Sequence, residues 1–195
     1  MKNQLKLKMC AAAVALFANS AFAETIDFDS ATPAGVTIGY ITNTFNALST
    51  LPTTVSNALA YTSSALPGGG RALLLQPYGA LFTFSSAQSS ISMVGNDFGG
   101  SNPTDNERVY LTVFDTYGSV LGSTSVQNAY SVPNLQPISF SAAGIKYAAF
   151  TFSNDLGYYS VDNVITTAVP EPESYAMLLA GLGLMGALAR RRKQA

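Results

Sequence analysis

The sequence predicts an all-β sandwich carried between two terminal targeting segments. Three observations predict it. Between Glu24 and Val169, short runs of β-branched and aromatic residues alternate with turn residues at intervals of roughly 8–12 positions, the pattern of a sandwich or barrel. No window of that region sustains a 3.6-residue apolar repeat, so a helical domain is not expected. The long uncharged apolar runs lie instead at the two ends, each beside a cluster of cationic residues.

The N-terminal run is an export signal in form. Lys2, Lys6 and Lys8 make a positive region, and Met9 to Ala18 follow as an apolar stretch. Ala21-Phe22-Ala23 then places small side chains where a signal peptidase reads them. Residues 1–23 are read as a secretory signal peptide, taken by the Sec machinery and cut after Ala23. Cys10, the one cysteine of the chain, precedes most of the apolar stretch, so lipidation is not expected and the thiol leaves with the signal. A mature domain without cysteine has to be held by its core, or by a metal, alone.

Residues 24–168 are read as the β-sandwich domain, long enough to bury one sizeable core. Strands are expected near Thr25–Asp29, Val36–Ile41, Ala72–Gln76, Gly79–Phe84, Ser90–Val94, Arg108–Asp115, Val120–Val126, Gln136–Ser141, Ile145–Phe152 and Tyr158–Thr166. The strongest signal is the Arg108 run, where Val109, Leu111 and Val113 face one side and Tyr110, Thr112 and Phe114 the other. Ile145–Phe152 reads similarly, with Ala148, Phe150 and Phe152 on one face. Asp115-Thr116-Tyr117-Gly118-Ser119 reads as a hairpin turn, with Gly118 free to take positive φ. The stretch from Ser30 to Gly70, rich in Thr, Ser and Asn and broken by Pro33, Pro52 and Pro67, reads as short edge strands and long loops, or as a loop-borne ligand surface. Gly95–Asn106 is a second polar loop, without the ligand spacing of an EF-hand.

Charge and residue types narrow the function. Seven of the ten basic residues lie in the two end segments, so between Glu24 and Val169 nine acids face only Arg71, Arg108 and Lys146. The domain is therefore near −6, where the whole chain is −1, and it does not suit a phosphate backbone. No nucleic acid is expected as a partner. The chain has no histidine, which excludes Ser-His-Asp and Cys-His catalysis and His-ligated zinc. An enzyme would need a carboxylate pair, as glycosidases do. Asp105 and Glu107 are the nearest such pair, beside Arg108 and at the entry to a strand, where solvated loop acids are common. No catalytic residue is assigned.

Two weaker sites are expected. Asp27 and Asp29 lie two residues apart on the first strand, and Asp162-Asn163 lie on the last. If those strands pair, their oxygens could converge on a calcium ion, which takes six to eight oxygen ligands; capping of strand ends is the plainer account. Exposed tyrosines can stack on pyranose rings, and Tyr130, Tyr158 and Tyr159 are the candidates, although most aromatic positions fall on strands where core packing explains them.

The C-terminal segment, residues 169–195, has three parts. Pro170-Glu171-Pro172 cannot continue a strand or helix. An uncharged apolar segment follows, and Arg190, Arg191, Arg192 and Lys193 close it, the order of a membrane segment with its basic end in the cytoplasm. Ser174 to Ala189 as a helix reaches about 24 Å, short of the ~30 Å hydrocarbon core, which suits a transient anchor better than a permanent one. Gly181, Gly183 and Gly186 match a dinucleotide-binding pattern by accident, since no strand precedes them.

This order of PEP tripeptide, apolar span and Arg-rich end resembles the PEP-CTERM sorting signal of exported bacterial proteins, an element also labelled an ice-binding-protein C-terminal domain. The resemblance implies recognition at Pro170, Glu171 and Pro172 by an exosortase, with Arg190, Arg191 and Arg192 holding the end inside. It further implies a Gram-negative bacterium, a transient stay in the inner membrane by the C-terminal helix, and delivery to the cell envelope or the extracellular polysaccharide matrix. The domain before it resembles the jelly-roll or lectin-like sandwiches that often precede this tail, on Ile26-Asp27-Phe28-Asp29, the Val109–Gly122 strand-turn-strand and Tyr159–Val164. The expected protein is a non-enzymatic exported one that meets polysaccharide. A carboxylate-dependent carbohydrate-active enzyme is the alternative. Ice binding is more remote, because the scattered threonines form no regular Thr-x-Thr ladder.

Overall fold

The computed structural model describes residues 23–29, 34–44, 46–63, 69–75, 77–97, 108–127, 136–153, 159–169, 179–186 and 190–191. The chain forms two compact units, one of them running from Ala23 to Val169. That unit is all-β. Its strands are β1 (Ala23–Ile26), β2 (Val36–Thr42), β3 (Thr54–Val55), β4 (Ala60–Ser63), β5 (Arg71–Leu74), β6 (Tyr78–Asp97), β7 (Arg108–Phe114), β8 (Val120–Gln127), β9 (Gln136–Phe152) and β10 (Tyr159–Ala168).

Two strands are far longer than the sequence pattern suggests, and they make the sandwich. Gly79–Phe84 and Ser90–Val94 were expected as separate strands but are one, the 20-residue β6. Gln136–Ser141 and Ile145–Phe152 are likewise one, the 17-residue β9. The small residues between, Ser85-Ser86-Ala87 and Ala142-Ala143-Gly144, fall in the gaps between the expected strands; here they are bends at which both strands continue. Register between β6 and β9 slips there, between Thr83 and Gln88 and again before Ser90. A β-bulge bends a strand and raises its twist, so the first halves and second halves of the pair run in different layers. β2, and β3 beyond it, pair with the first half of β6, and β7 and β8 follow the second half of β9. β10 pairs with the second half of β6 and carries β5, β4 and β1.

The core lies between these layers. Phe82, Phe84, Leu111, Val113, Phe150 and Phe152 from one join Leu73, Ile91, Met93, Ile138 and Val161 from the other in one buried cluster. The layers meet closely at Gly95, where an added Cβ would stand 2.9 Å from the Phe150 ring. The expected split of the Arg108 run is present: Val109, Leu111 and Val113 are fully buried in this cluster. Its other face is half-buried at Tyr110 and buried from Thr112 onward. Phe114 joins Ile41, Leu81 and Ala149 in a second cluster, covered by Leu48 and Leu51. Thr112 is also buried, and its Oγ1 accepts from the Leu48 amide at 3.1 Å. The chain between β2 and β3 thus lies over the outer face of that layer. The β7–β8 hairpin turns at Asp115–Ser119, with Gly118 at φ 79°.

Candidate functional site

The first and last strands of the unit pair, as the calcium expectation required. β1 runs antiparallel to β10 from Ala23↔Thr167 to Ile26↔Val164. Asp27 and Asp29, however, are not on a strand. β1 ends at Ile26, and the Asp29 amide donates to Asp27 Oδ1 at 3.2 Å in a tight turn that holds Phe28 at φ 57°. An aspartate side chain bonding two residues on turns the backbone in this way. Asp162 is on β10, nearly buried, with Oδ1 accepting from the Asn163 amide at 2.7 Å. Asn163 itself has φ 47°, at the slip in register between Asp162 and Ile165.

The Asp29 carboxylate is used across the sheet rather than toward Asp162. Oδ1 accepts from the backbone amide of Arg71, the first residue of β5. Gly70 makes this approach possible: it stands at φ 110°, and any Cβ there would overlap the Asp29 carboxyl group. Among the described residues no three acidic side chains are close enough to hold a metal ion.

This contact builds a corner that local sequence reading missed. Tyr61 of β4 pairs with Leu73 of β5, so Arg71 is its diagonal neighbour on the same face of the sheet. The Arg71 guanidinium accordingly lies 4.3 Å above the centre of the Tyr61 ring. Its Nε donates to the Phe28 carbonyl at 3.0 Å. Phe28 is buried against the core, and its ring is tilted against Tyr61 at 6.3 Å between centroids. Tyr61 and Arg71 both remain exposed. The one hint in the sequence is that Arg71 is among only three bases of the domain. The other two are engaged differently: Arg108 donates to Ser125 Oγ at 3.1 Å, and Lys146 to the Ser85 carbonyl at 2.8 Å.

The tyrosine expectation needs correction. Tyr159 is fully buried and stacks on Phe152 at 4.0 Å between centroids and 19° between planes. It fills the core because β10 directs it inward, as it does Val161, so no sugar ring can reach it. Tyr130 and Tyr158 lie outside the described residues, as do Asp105 and Glu107. Ala21 is also outside them, while Ala23 opens β1 opposite Thr167. Of the tail, Pro170, Glu171, Pro172 and Arg192 lie outside, and Arg190 and Arg191 are helical. Residues 179–186 form a helix with Leu179, Leu182 and Leu184 exposed. Among the described residues no helix is long and apolar enough to cross a membrane. The expected span from Ser174 to Ala189 lies partly outside them.

The K2 cleaved adhesin domain of Lys-gingipain is similar at 14% identity, over 75% of this chain and 99% of its own, with a TM-score of 0.46. TmCBM61, solved in complex with β-1,4-galactotriose, is 9% identical over 73% of this chain and 94% of its own, with a TM-score of 0.43. The CBM22-1 xylan-binding domain from Paenibacillus barcinonensis is 14% identical over 79% and 99%, with a TM-score of 0.41. No curated protein matches the chain. The C-terminal expectation is met directly: residues 168–193, which begin on the last residue of β10, carry the PEP-CTERM protein-sorting motif.

Proposed function

We propose that this is an exported, non-catalytic protein, delivered by an exosortase acting on its tail, whose β-sandwich binds extracellular polysaccharide at the cell envelope. The sorting motif at residues 168–193, joined to the end of β10, carries this reading. The sheet face opposite the core supports the ligand class. Ser92 lies between Ile165 and Ser139, and Ser90 between Thr167 and Ser141. Their in-strand neighbours Ile91, Met93 and Ile138 point into the core, so these hydroxyls point outward. An uncharged, hydroxyl-lined face exchanges hydrogen bonds with a hydrated neutral polymer at little desolvation cost.

Intact mass measurement of the exported protein tests the sorting half. The expected species begins at Glu24 and lacks Arg190–Lys193; a mature form that keeps those residues overturns it. Retention on insoluble or immobilised polysaccharides tests the binding half, and a protein retained by none of a broad panel overturns that.

A structural calcium ion at the β1–β10 junction is a second reading, favoured by the pairing that brings Asp27 beside the strand of the nearly buried Asp162. Those two carboxylates would be joined by backbone carbonyls and water to reach six or more oxygens. Excess calcium should then raise the melting temperature over that in EDTA, and Asp162→Asn should abolish the difference. Equal melting in both solutions excludes it.

A further inference from the structure

We infer that Arg71 and Tyr61 form a binding site for acidic sugars, the guanidinium taking the carboxylate of a uronic acid residue and the rim of the tyrosine ring its apolar face. The inference rests on the polysaccharide reading above and adds to it a place and a ligand class.

The first observation is that Arg71 is held before any ligand arrives. Its Nε is bonded to the Phe28 carbonyl, and its plane is backed by the Tyr61 ring at 4.3 Å. Phe28 is itself fixed by the Asp27–Asp29 turn and by its burial. An arginine on a surface ordinarily gives up considerable side-chain freedom to bind; one fixed at Nε and at its face has already given up most of it.

The second is what remains open. With Nε committed, the two terminal nitrogens form the outer edge of the guanidinium fork. Among the described residues neither has a hydrogen-bond partner, and the group is exposed. A fork of parallel N–H groups matches the two oxygens of a carboxylate. Asp29 Oδ1 receives the backbone amide of Arg71, and among the described residues no bond joins its carboxylate to those terminal nitrogens.

The third concerns contrast within the domain. Arg108 and Lys146 donate their charged ends to Ser125 and to the Ser85 carbonyl, which is ordinary anchoring of a surface base. Arg71 uses its backbone and Nε for anchoring and leaves its terminal edge unused. In a domain with nine acids and three bases, Arg71 is the base whose charged edge stays open to an anionic group. Tyr61, 38% exposed at the sheet edge, adds an aromatic surface directly beside it. Aromatic side chains with one wet edge serve this purpose well, since they lose little conformational freedom.

The test is calorimetric titration of the exported protein with oligogalacturonate and, separately, with a neutral galactan oligosaccharide. Oligogalacturonate should bind. Arg71→Gln should weaken it at least tenfold, Tyr61→Ala should weaken it several-fold, and the charge-matched Arg108→Gln should leave it within twofold. Neutral oligosaccharide binding should be the same in all four proteins. Equal loss in Arg71→Gln and Arg108→Gln overturns the site, because net charge alone then explains it. Unchanged binding in Arg71→Gln overturns the site while the polysaccharide reading stands; binding of neither sugar by the unmodified protein overturns the site, and the broad panel above then decides the wider reading. Arg71→Lys covers a folding failure of Arg71→Gln: it keeps the charge and loses the fork, so it should still weaken oligogalacturonate, and full affinity there also overturns the proposal.

Discussion

Asn43 pairs with the backbone of Phe152 as a neighbouring strand would. Its Nδ2 donates to the Phe152 carbonyl at 3.0 Å, and its Oδ1 accepts from the Phe152 amide at 3.1 Å. The register of β6 against β9 ends at Ala80↔Phe150. Beyond it β9 has β7 on one side, through Val109↔Phe152, and Asn43 on the other. One side chain, 109 residues away in sequence, thus satisfies two backbone groups that the sheet leaves over.

Asn43→Ala should therefore be costly out of proportion to its size. It leaves a buried N–H and C=O of Phe152 without partners, each worth about 1–3 kcal/mol. A loss of roughly 2–4 kcal/mol is expected in urea unfolding. The midpoint should fall with the slope unchanged, because the surface exposed on unfolding is the same. A loss under about 0.5 kcal/mol would show that water replaces the side chain.

Gly95→Ala tests how tightly the two layers meet. The new methyl would stand 2.9 Å from a ring carbon of Phe150, a side chain with no exposed surface. Overpacking of this kind costs about 1–3 kcal/mol. Combining it with Phe150→Leu should recover part of that cost, giving a coupling energy of about 0.5 kcal/mol or more in a double-mutant cycle. Strict additivity would place the two groups farther apart than described.

The β7–β8 turn depends on one carboxylate. Asp115 Oδ1 accepts from the amides of Tyr117 and Ser119, at 2.8 Å each, and the Gly118 amide donates to the Asp115 carbonyl at 3.1 Å. Asp115→Ala should cost about 1–2 kcal/mol, while Asp115→Asn, which keeps an acceptor, should cost less. Amide hydrogen exchange at Tyr117 and Ser119 should quicken in the alanine variant, and unchanged protection there would remove the carboxylate from the account.

Tyr40 links three strands and makes stability fall in alkali. Its hydroxyl donates to the Leu74 carbonyl and accepts from the Ala60 amide at 2.9 Å, while its ring stacks on Tyr78. Burial pushes its pKa above the ordinary 10.0. A raised value in the folded state means that the folded chain holds the proton more tightly than the unfolded one. The contribution is complete below pH 10 and is lost as pH rises through the folded value. Tyr40→Phe should lower stability by about 1 kcal/mol at neutral pH and flatten its decline above pH 10. An equal decline in both proteins assigns the alkaline loss elsewhere.

Much of this molecule was legible in the residues alone. Alternating β-branched and aromatic runs specify strands whatever surrounds them, since period-two burial is a local property, and Val109, Leu111 and Val113 went where the alternation placed them. The sorting motif was legible because its chemistry is written consecutively, in Pro170-Glu171-Pro172 and the arginines after it. What only the tertiary structure decided is which strands continue through their small-residue bends, and what crosses over them. Ser85-Ser86-Ala87 interrupts the apolar alternation; in the fold, β2 and β9 pair with β6 up to Phe84 and Thr83, β10 and β9 pair with it again from Gln88, and β6 continues into the second layer. The same holds for the corner at Arg71. No spacing in the sequence joins Phe28, Tyr61 and Arg71, because a diagonal contact between antiparallel strands depends on register, and register is set by the burial of residues such as Leu73, which stands opposite Tyr61.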